Sequence, residues 1–113
     1  MHEFSLAQNA VELIEAAARR EGFAHARVVR FEIGVLACVQ ADALRFAFES
    51  ASLGSCASGA RVEIVELDGE GICPACGQLA AMQTLYDLCP CCEAAPLRAL
   101  KGQEMRLRDL EVE

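Results

Sequence analysis

The sequence predicts an α+β fold in which two helices pack on a small mixed β-sheet, with a cysteine-rich module inserted before the last strand. Two segments have apolar residues at helical spacing, and three segments alternate apolar and polar residues. The composition changes at Asp68, because residues 68–103 hold five of the seven Cys and all three Pro. With 113 residues, the chain has room for one domain and a small appendage.

The first helix is predicted to begin at Ser5, because Ser5 and Gln8 have the spacing of a capping box. The first residues of the chain would then lie just before the helix, held against a folded unit. Gly22 is a suitable end for the helix. The apolar residues at helical spacing, which should form its buried face, are Leu6, Ala10, Leu13, Ile14 and Ala17.

The remaining elements follow from the same two periodicities. Alternation predicts strands near 27–34, 61–67 and 104–112, the first of them half-buried. Helical spacing predicts a second helix over 41–51, and both helices should lie on one face of the sheet. The inserted module should consist of short hairpins.

Charge and composition limit the possible functions. The 10 Lys and Arg against 17 Asp and Glu give a net charge of -7, which disfavours binding to nucleic acid. The sequence contains no apolar run of about 18 residues, the length that a membrane span needs, and its N-terminus lacks an export signal. We therefore expect a cytoplasmic protein. Seven Cys in that compartment indicate metal ligands and not disulfides.

Two C-x-x-C pairs give the strongest signal in the sequence. Cys73 and Cys76 form one pair, Cys89 and Cys92 the other, and twelve residues separate the pairs. Two such turns supply the four thiolates that Zn(II) prefers, and with no His or carboxylate the site should be structural. Cys91 lies inside the second pair and should remain a free thiol, although it could compete for the metal.

A rubredoxin-like iron site is the alternative for these cysteines. Gly77 fits the pattern of such a site, whereas Glu93, at the equivalent position of the second pair, departs from it. About 30 loop-rich residues have no core of their own, so the module should depend on its metal for folding.

The N-terminus offers a second metal site. The terminal amine, the His2 amide nitrogen and the His2 imidazole can form two fused chelate rings, an arrangement suited to Ni(II) or Cu(II). Taken alone, a His near a terminus is more often a solvated bystander.

The sequence resembles the HypA/HybF family of hydrogenase nickel-incorporation proteins. The resemblance spans the whole chain, since the segments "MHEFS", "FEIG", "ALRFAFE", "CPACG", "CPCC" and "GQEMRLRDLEVE" occur in the expected order. It implies a metallochaperone that carries Ni(II) as transient cargo on His2 and Glu3, including the Glu3 backbone nitrogen. The structural Zn(II) ligands that it implies are Cys73, Cys76, Cys89 and Cys92.

The resemblance also implies partners. These are a HypB-type GTPase and the large-subunit precursor of a [NiFe] hydrogenase, which would receive the nickel; some family members also serve urease maturation. Three positions depart from the family pattern: Phe4 replaces a common Met, Gln40 replaces a carboxylate proposed as a further nickel ligand, and Cys91 is extra.

We therefore predict a nickel-binding α+β domain of residues 1–68 plus 103–113 and a zinc-binding domain of residues 69–102. The alternative is a zinc-ribbon module for protein interaction or nucleic-acid binding, although residues 68–103 contain only Arg98 and Lys101 as bases. A one-electron iron carrier is a second alternative.

No catalytic arrangement of Ser, His, Asp or Cys can be assembled, and no phosphate-binding loop is present, so no enzymatic activity is expected. His25 should be a surface residue. Cys38 and Cys56 should be small buried apolar residues.

Overall fold

The computed structural model describes residues 2–113. Its elements in chain order are α1 His2–Glu21, β1 Ala26–Gly34, α2 Ala41–Ala51, β2 Arg61–Leu67, β3 Gly69–Ile72, β4 Leu79–Met82, β5 Arg98–Lys101 and β6 Met105–Val112. One three-stranded sheet has the order β2-β1-β6, and a second has the order β4-β3-β5. The predicted second helix, the three strands of the main sheet and the α+β class are confirmed.

The first sheet is mixed, as predicted. The N–H of the first residue of β1 donates to Cys56 O, before β2, and the N–H just after β1 donates to Leu67 O, both at 2.9 Å. These bonds mean that β1 and β2 run in the same direction. The Glu113 N–H, after β6, donates to His25 O, before β1, at 2.9 Å, so β6 is antiparallel to β1.

The prediction that α1 begins at Ser5 is wrong, because the helix begins at His2. The first four N–H groups of a helix have no backbone acceptor, and a carboxylate in the first turn stabilises them. Glu3 supplies that carboxylate. The predicted end is confirmed: Gly22 has a φ of +81°, and its N–H donates to Ala18 O at 2.8 Å.

The chain forms two compact units. The first contains the chain up to Phe31, Val39–Ile64 and Leu107–Glu113. In its core α1 packs against α2, and the rings of Phe31 and Phe48 meet edge to face at 5.4 Å.

The buried face of α1 includes two of the predicted residues, Ala10 and Ile14, and differs from the prediction elsewhere. It consists of Ala7, Ala10 and Ile14, whereas Leu13, predicted to be buried, is 59% exposed. Small alanines at helical spacing let α1 lie close to its neighbours. Apolar residues are common on protein surfaces, so the apolar character of Leu13 does not by itself predict its burial.

An ion-pair network ties the three strands of the first sheet together. Arg30 on β1 donates to Glu63 on β2 at 2.8 Å, to Asp109 on β6 at 2.8 Å, and also to Glu111. The three carboxylates raise the pKa of Arg30 above its usual range, and that of Asp109 has the largest effect. The network therefore links the central strand β1 to both of its neighbours.

The second unit contains Glu32–Cys38 and Val65–Arg106. In its sheet both β4 and β5 are antiparallel to β3. The predicted zinc-ribbon architecture of short hairpins agrees with this arrangement. Its small core consists of Leu36, Cys73, Met82, Cys89 and Leu97.

Val28 and Glu32 on β1 are both buried, although the strand was predicted to be half-buried. Val28 is 5% exposed and Glu32 8% exposed, so β1 is more than half-buried. The Glu32 carboxylate accepts a hydrogen bond from Arg106 at 2.5 Å, which allows it to be buried. Within residues 2–113, no helix is both long and apolar enough to cross a membrane.

Candidate metal centres

Each C-x-x-C pair lies on a tight turn, and the two turns have the same backbone geometry. The Gly77 N–H donates to Cys73 O at 2.8 Å, and the Glu93 N–H donates to Cys89 O at 2.9 Å. Gly77 has a φ of +78° and Glu93 a φ of +54°. Glu93 therefore adopts the left-handed conformation that glycine provides in the first turn, although its residue type departs from that pattern.

The two turns bring their four sulfur atoms together. The Sγ atoms of Cys73, Cys76, Cys89 and Cys92 all lie within 4.8 Å of one another. Across the turns, the Cys73–Cys92 sulfur distance is 3.5 Å and the Cys76–Cys89 distance is 3.7 Å. A tetrahedral zinc ion with Zn–S bonds of about 2.3 Å needs sulfur atoms roughly 3.8 Å apart. The cluster therefore has the size that zinc requires.

Burial within the cluster is unequal. Cys73 and Cys89, the first residue of each pair, are 1% and 0% exposed and belong to the core of the second unit. Cys76 and Cys92, the second residue of each pair, are exposed. The core thus holds one candidate ligand of each turn, and the turn itself positions the other candidate ligand.

Backbone N–H groups favour the thiolate form of the two buried cysteines. The N–H groups of Cys76 and Ala75 lower the pKa of Cys73, and that of Cys76 has the larger effect. The Cys76 nitrogen lies 3.4 Å from the Cys73 sulfur and the Ala75 nitrogen 3.3 Å from it. The Cys92 N–H lowers the pKa of Cys89 to about 6. The Gln78 N–H acts to lower the pKa of Cys76. Burial and the neighbouring thiols outweigh this effect and raise the pKa of Cys76 to about 12.

The four sulfur atoms lie close enough together for like charges on them to repel one another. Thiolates at two of the positions would therefore oppose ionisation of the other two thiols. A divalent ion would remove that repulsion, because metal ligation requires the deprotonated thiol.

Cys91 lies on the second turn, between the two cysteines of the second pair. Within residues 2–113, its sulfur does not belong to the group of potential ligand atoms, and its side chain is exposed. This position agrees with the expectation that Cys91 is a free thiol.

The N-terminal candidates lie in the first turn of α1. His2 is exposed, and Glu3 is half-buried. Glu3 Oε2 accepts a hydrogen bond from the Gln40 N–H at 3.4 Å. The terminal amine that the predicted chelate needs belongs to Met1, which lies outside the described residues.

The remaining single candidates belong to no cluster of three or more metal-ligating groups in the described part of the chain. His25 is half-buried: its Nε2 lies 3.0 Å from Ser58 O, and its Nδ1 lies 3.6 Å from a Glu113 carboxylate oxygen. Cys38, predicted to be buried, is exposed with a φ of +58°, because it lies in the loop before α2. Cys56 is half-buried.

Fold and cluster together define a small α+β protein with four converging cysteines that could hold a metal ion, and comparison with known proteins identifies its family. The model of the family described as HypA, hydrogenase/urease nickel incorporation metallochaperone, matches residues 1–112. Two similar proteins are the hydrogenase maturation factors HypA of Cereibacter sphaeroides and Azotobacter vinelandii. They are 47% and 43% identical over 113 residues, which cover each chain completely.

Solved structures agree with this assignment. The solution structure of the Ni metallochaperone HypA from Helicobacter pylori matches with a TM-score of 0.71 at 26% identity. The match covers 97% of this chain and 96% of that chain. The chain therefore belongs to the HypA family of nickel metallochaperones, as its sequence motifs indicated. Proteins of this family are maturation factors and not catalytic enzymes.

Proposed function

We propose that this chain binds Ni(II) at its N-terminus and delivers it to the large-subunit precursor of a [NiFe] hydrogenase. The observation that carries this proposal is the match to the nickel-incorporation family over residues 1–112. His2 and Glu3 are the residues that we assign to nickel. His2 is exposed in the first turn of α1, where an incoming ion can reach its imidazole.

The donors near His2 suit nickel. The first four N–H groups of a helix have no backbone acceptor, so the amide nitrogens of His2 and Glu3 are free of helical hydrogen bonds. Ni(II) accepts planar sets of nitrogen ligands, which these amides and the imidazole can supply.

We assign a structural Zn(II) ion to the four clustered cysteines, Cys73, Cys76, Cys89 and Cys92. The sulfur separations support this assignment, and no open coordination position is left for a substrate. The functional division that follows is a nickel-binding domain of residues 1–68 plus 103–113 and a zinc-binding domain of residues 69–102. Residues 69–102 would then serve to hold a fold and not to exchange metal.

The partners follow from the same family. The relatives are named hydrogenase maturation factors, and the family description includes urease. We propose a HypB-type GTPase and the hydrogenase large-subunit precursor as partners of this chain, with urease maturation factors as a second group. Because the clustered thiols need a reducing compartment, we place the protein in the cytoplasm.

Nickel titration tests the N-terminal site. Untagged protein, His2→Ala and a version with one residue added before Met1 are each titrated with Ni(II). We expect tight binding in the first alone, because the added residue moves the terminal amine out of chelating distance. Equal affinity in all three would refute the site without affecting the zinc assignment.

Metal analysis tests the cysteine site. One zinc per chain in colourless protein is the expected result. Iron in the site would instead support the electron-carrier alternative. The family match supports the metallochaperone assignment over the other alternative, a zinc ribbon that binds nucleic acid.

A further inference from the structure

The Glu3 carboxylate connects the start of α1 with the start of α2. Its Oε2 accepts the Gln40 N–H at 3.4 Å, across 37 positions of the sequence. Gln40 is the N-cap residue of α2, with φ −82° and ψ 120°, and its side chain makes no capping hydrogen bond. The backbone of Gln40, and not its side chain, therefore makes the contact with the proposed nickel site.

Glu3 also stabilises the helical conformation of the first turn. Its carboxylate interacts with its own backbone N–H and with that of Gln40, and both interactions lower the pKa of Glu3. A negative charge at this end of a helix interacts favourably with the exposed N–H groups. The side chain thus keeps His2 and Glu3 within α1.

Nickel binding at the proposed site requires a different backbone conformation. Two successive backbone nitrogens that bind one ion close a flat five-membered ring. The ψ angle of the first of the two residues is then near zero. An α-helical residue has a ψ of about −42°. The Glu3 nitrogen must also lose its proton to bind the ion. The helical first turn and the chelate therefore exclude one another.

We infer that the Glu3–Gln40 contact is a latch that holds the first turn of α1 in its helical, metal-free form and opens when nickel binds. This inference rests on the proposed N-terminal nickel site. It makes the Glu3 carboxylate a positioning group and not a nickel ligand. Since the latch stabilises the state that does not bind, it weakens nickel binding, and nickel weakens the latch by the same factor.

Gln40→Pro tests the latch because it removes one N–H. The φ of −82° at this position is close to the value that proline imposes, and the N-cap position requires no N–H for the helix. Gln40→Ala is the matched control, since it removes the side chain and keeps the N–H. Glu3→Ala removes the acceptor of the same bond.

Nickel affinity is measured with untagged proteins by competition with a chelating dye. We expect Gln40→Pro and Glu3→Ala to bind Ni(II) about three to ten times more tightly than wild type, the effect of losing one hydrogen bond. Gln40→Ala should match wild type, and the double variant should gain no more than either single one. Unchanged or weaker binding in Gln40→Pro would overturn the latch. A tenfold loss confined to Glu3→Ala would make that carboxylate a ligand.

Amide hydrogen exchange in the metal-free protein provides a readout that does not involve nickel. The Gln40 N–H should exchange several times faster in Glu3→Ala than in wild type, because it loses its acceptor. Equal exchange rates would overturn the latch even if nickel binds at the N-terminus. Conversely, nickel binding that does not depend on His2 would refute the proposed site, while the exchange rates would still decide whether the contact exists.

Discussion

Replacement of Met82 by Ala should weaken zinc binding, although Met82 is not a ligand. Met82 on β4 is fully buried and belongs to the same small core as Cys73 and Cys89. Truncation of its side chain leaves a cavity beneath two of the four proposed ligands. The cavity should destabilise the arrangement that holds their sulfur atoms in place.

The size of the effect follows from burial and linkage. Truncation of a buried Met to Ala destabilises a fold by about 2–5 kcal/mol. Where metal binding and folding are coupled, that loss reduces the apparent free energy of metal binding. A loss of about 2 kcal/mol, the lower end of the range, corresponds to roughly thirtyfold weaker binding.

The assay is competition for zinc against a chromophoric chelator at neutral pH. Leu79→Ala is the matched control, because Leu79 lies on the same strand and is 53% exposed. Its zinc affinity should stay within about threefold of wild type, since truncation of an exposed side chain leaves no cavity. If Met82→Ala and Leu79→Ala bind zinc equally well, the core does not support the site and the reasoning fails.

Three further predictions follow from the structure. Cys91→Ser should retain one zinc per chain by metal analysis, whereas Ser at any clustered Cys should not. Gly71→Ala places a Cβ in steric conflict with Met82 Sδ and should lower the free energy of unfolding, measured by chemical denaturation, by about 1–3 kcal/mol. Arg30 lowers the pKa of Glu63, so Glu63 stabilises the fold above its unfolded pKa and loses this effect as pH falls through its folded pKa. Glu63→Gln should therefore show a smaller drop in melting temperature on acidification than wild type.

The parts of the fold that the sequence predicted are those fixed by local patterns. The alternation in β1, β2 and β6 and the helical spacing in α2 reproduced the observed strands and helix. The C-x-x-C spacing likewise identified the four sulfur atoms that converge. In each case the pattern and the structure extend over the same few neighbouring residues.

The parts that the sequence did not predict depend on distant contacts. Ser5 has a valid capping pattern, yet α1 extends to His2, where the Glu3 carboxylate meets a backbone N–H 37 positions away. Leu13 has helical spacing, but the alanines on the neighbouring face are the ones that pack. Cys38 is exposed and has a positive φ in the loop before α2, and no local pattern of residues revealed either feature.

The two proposed metal sites therefore differ in how the protein prepares them. Turn geometry brings the four thiols together, so zinc would bind ligands that already converge. The nickel donors instead lie in a helical turn that must change its conformation to bind. A metallochaperone has to release its cargo, and a stable metal-free conformation lowers the free energy of the protein once the ion has left. If nickel binds at the proposed N-terminal site, the Glu3–Gln40 contact would thus favour transfer of nickel over its retention.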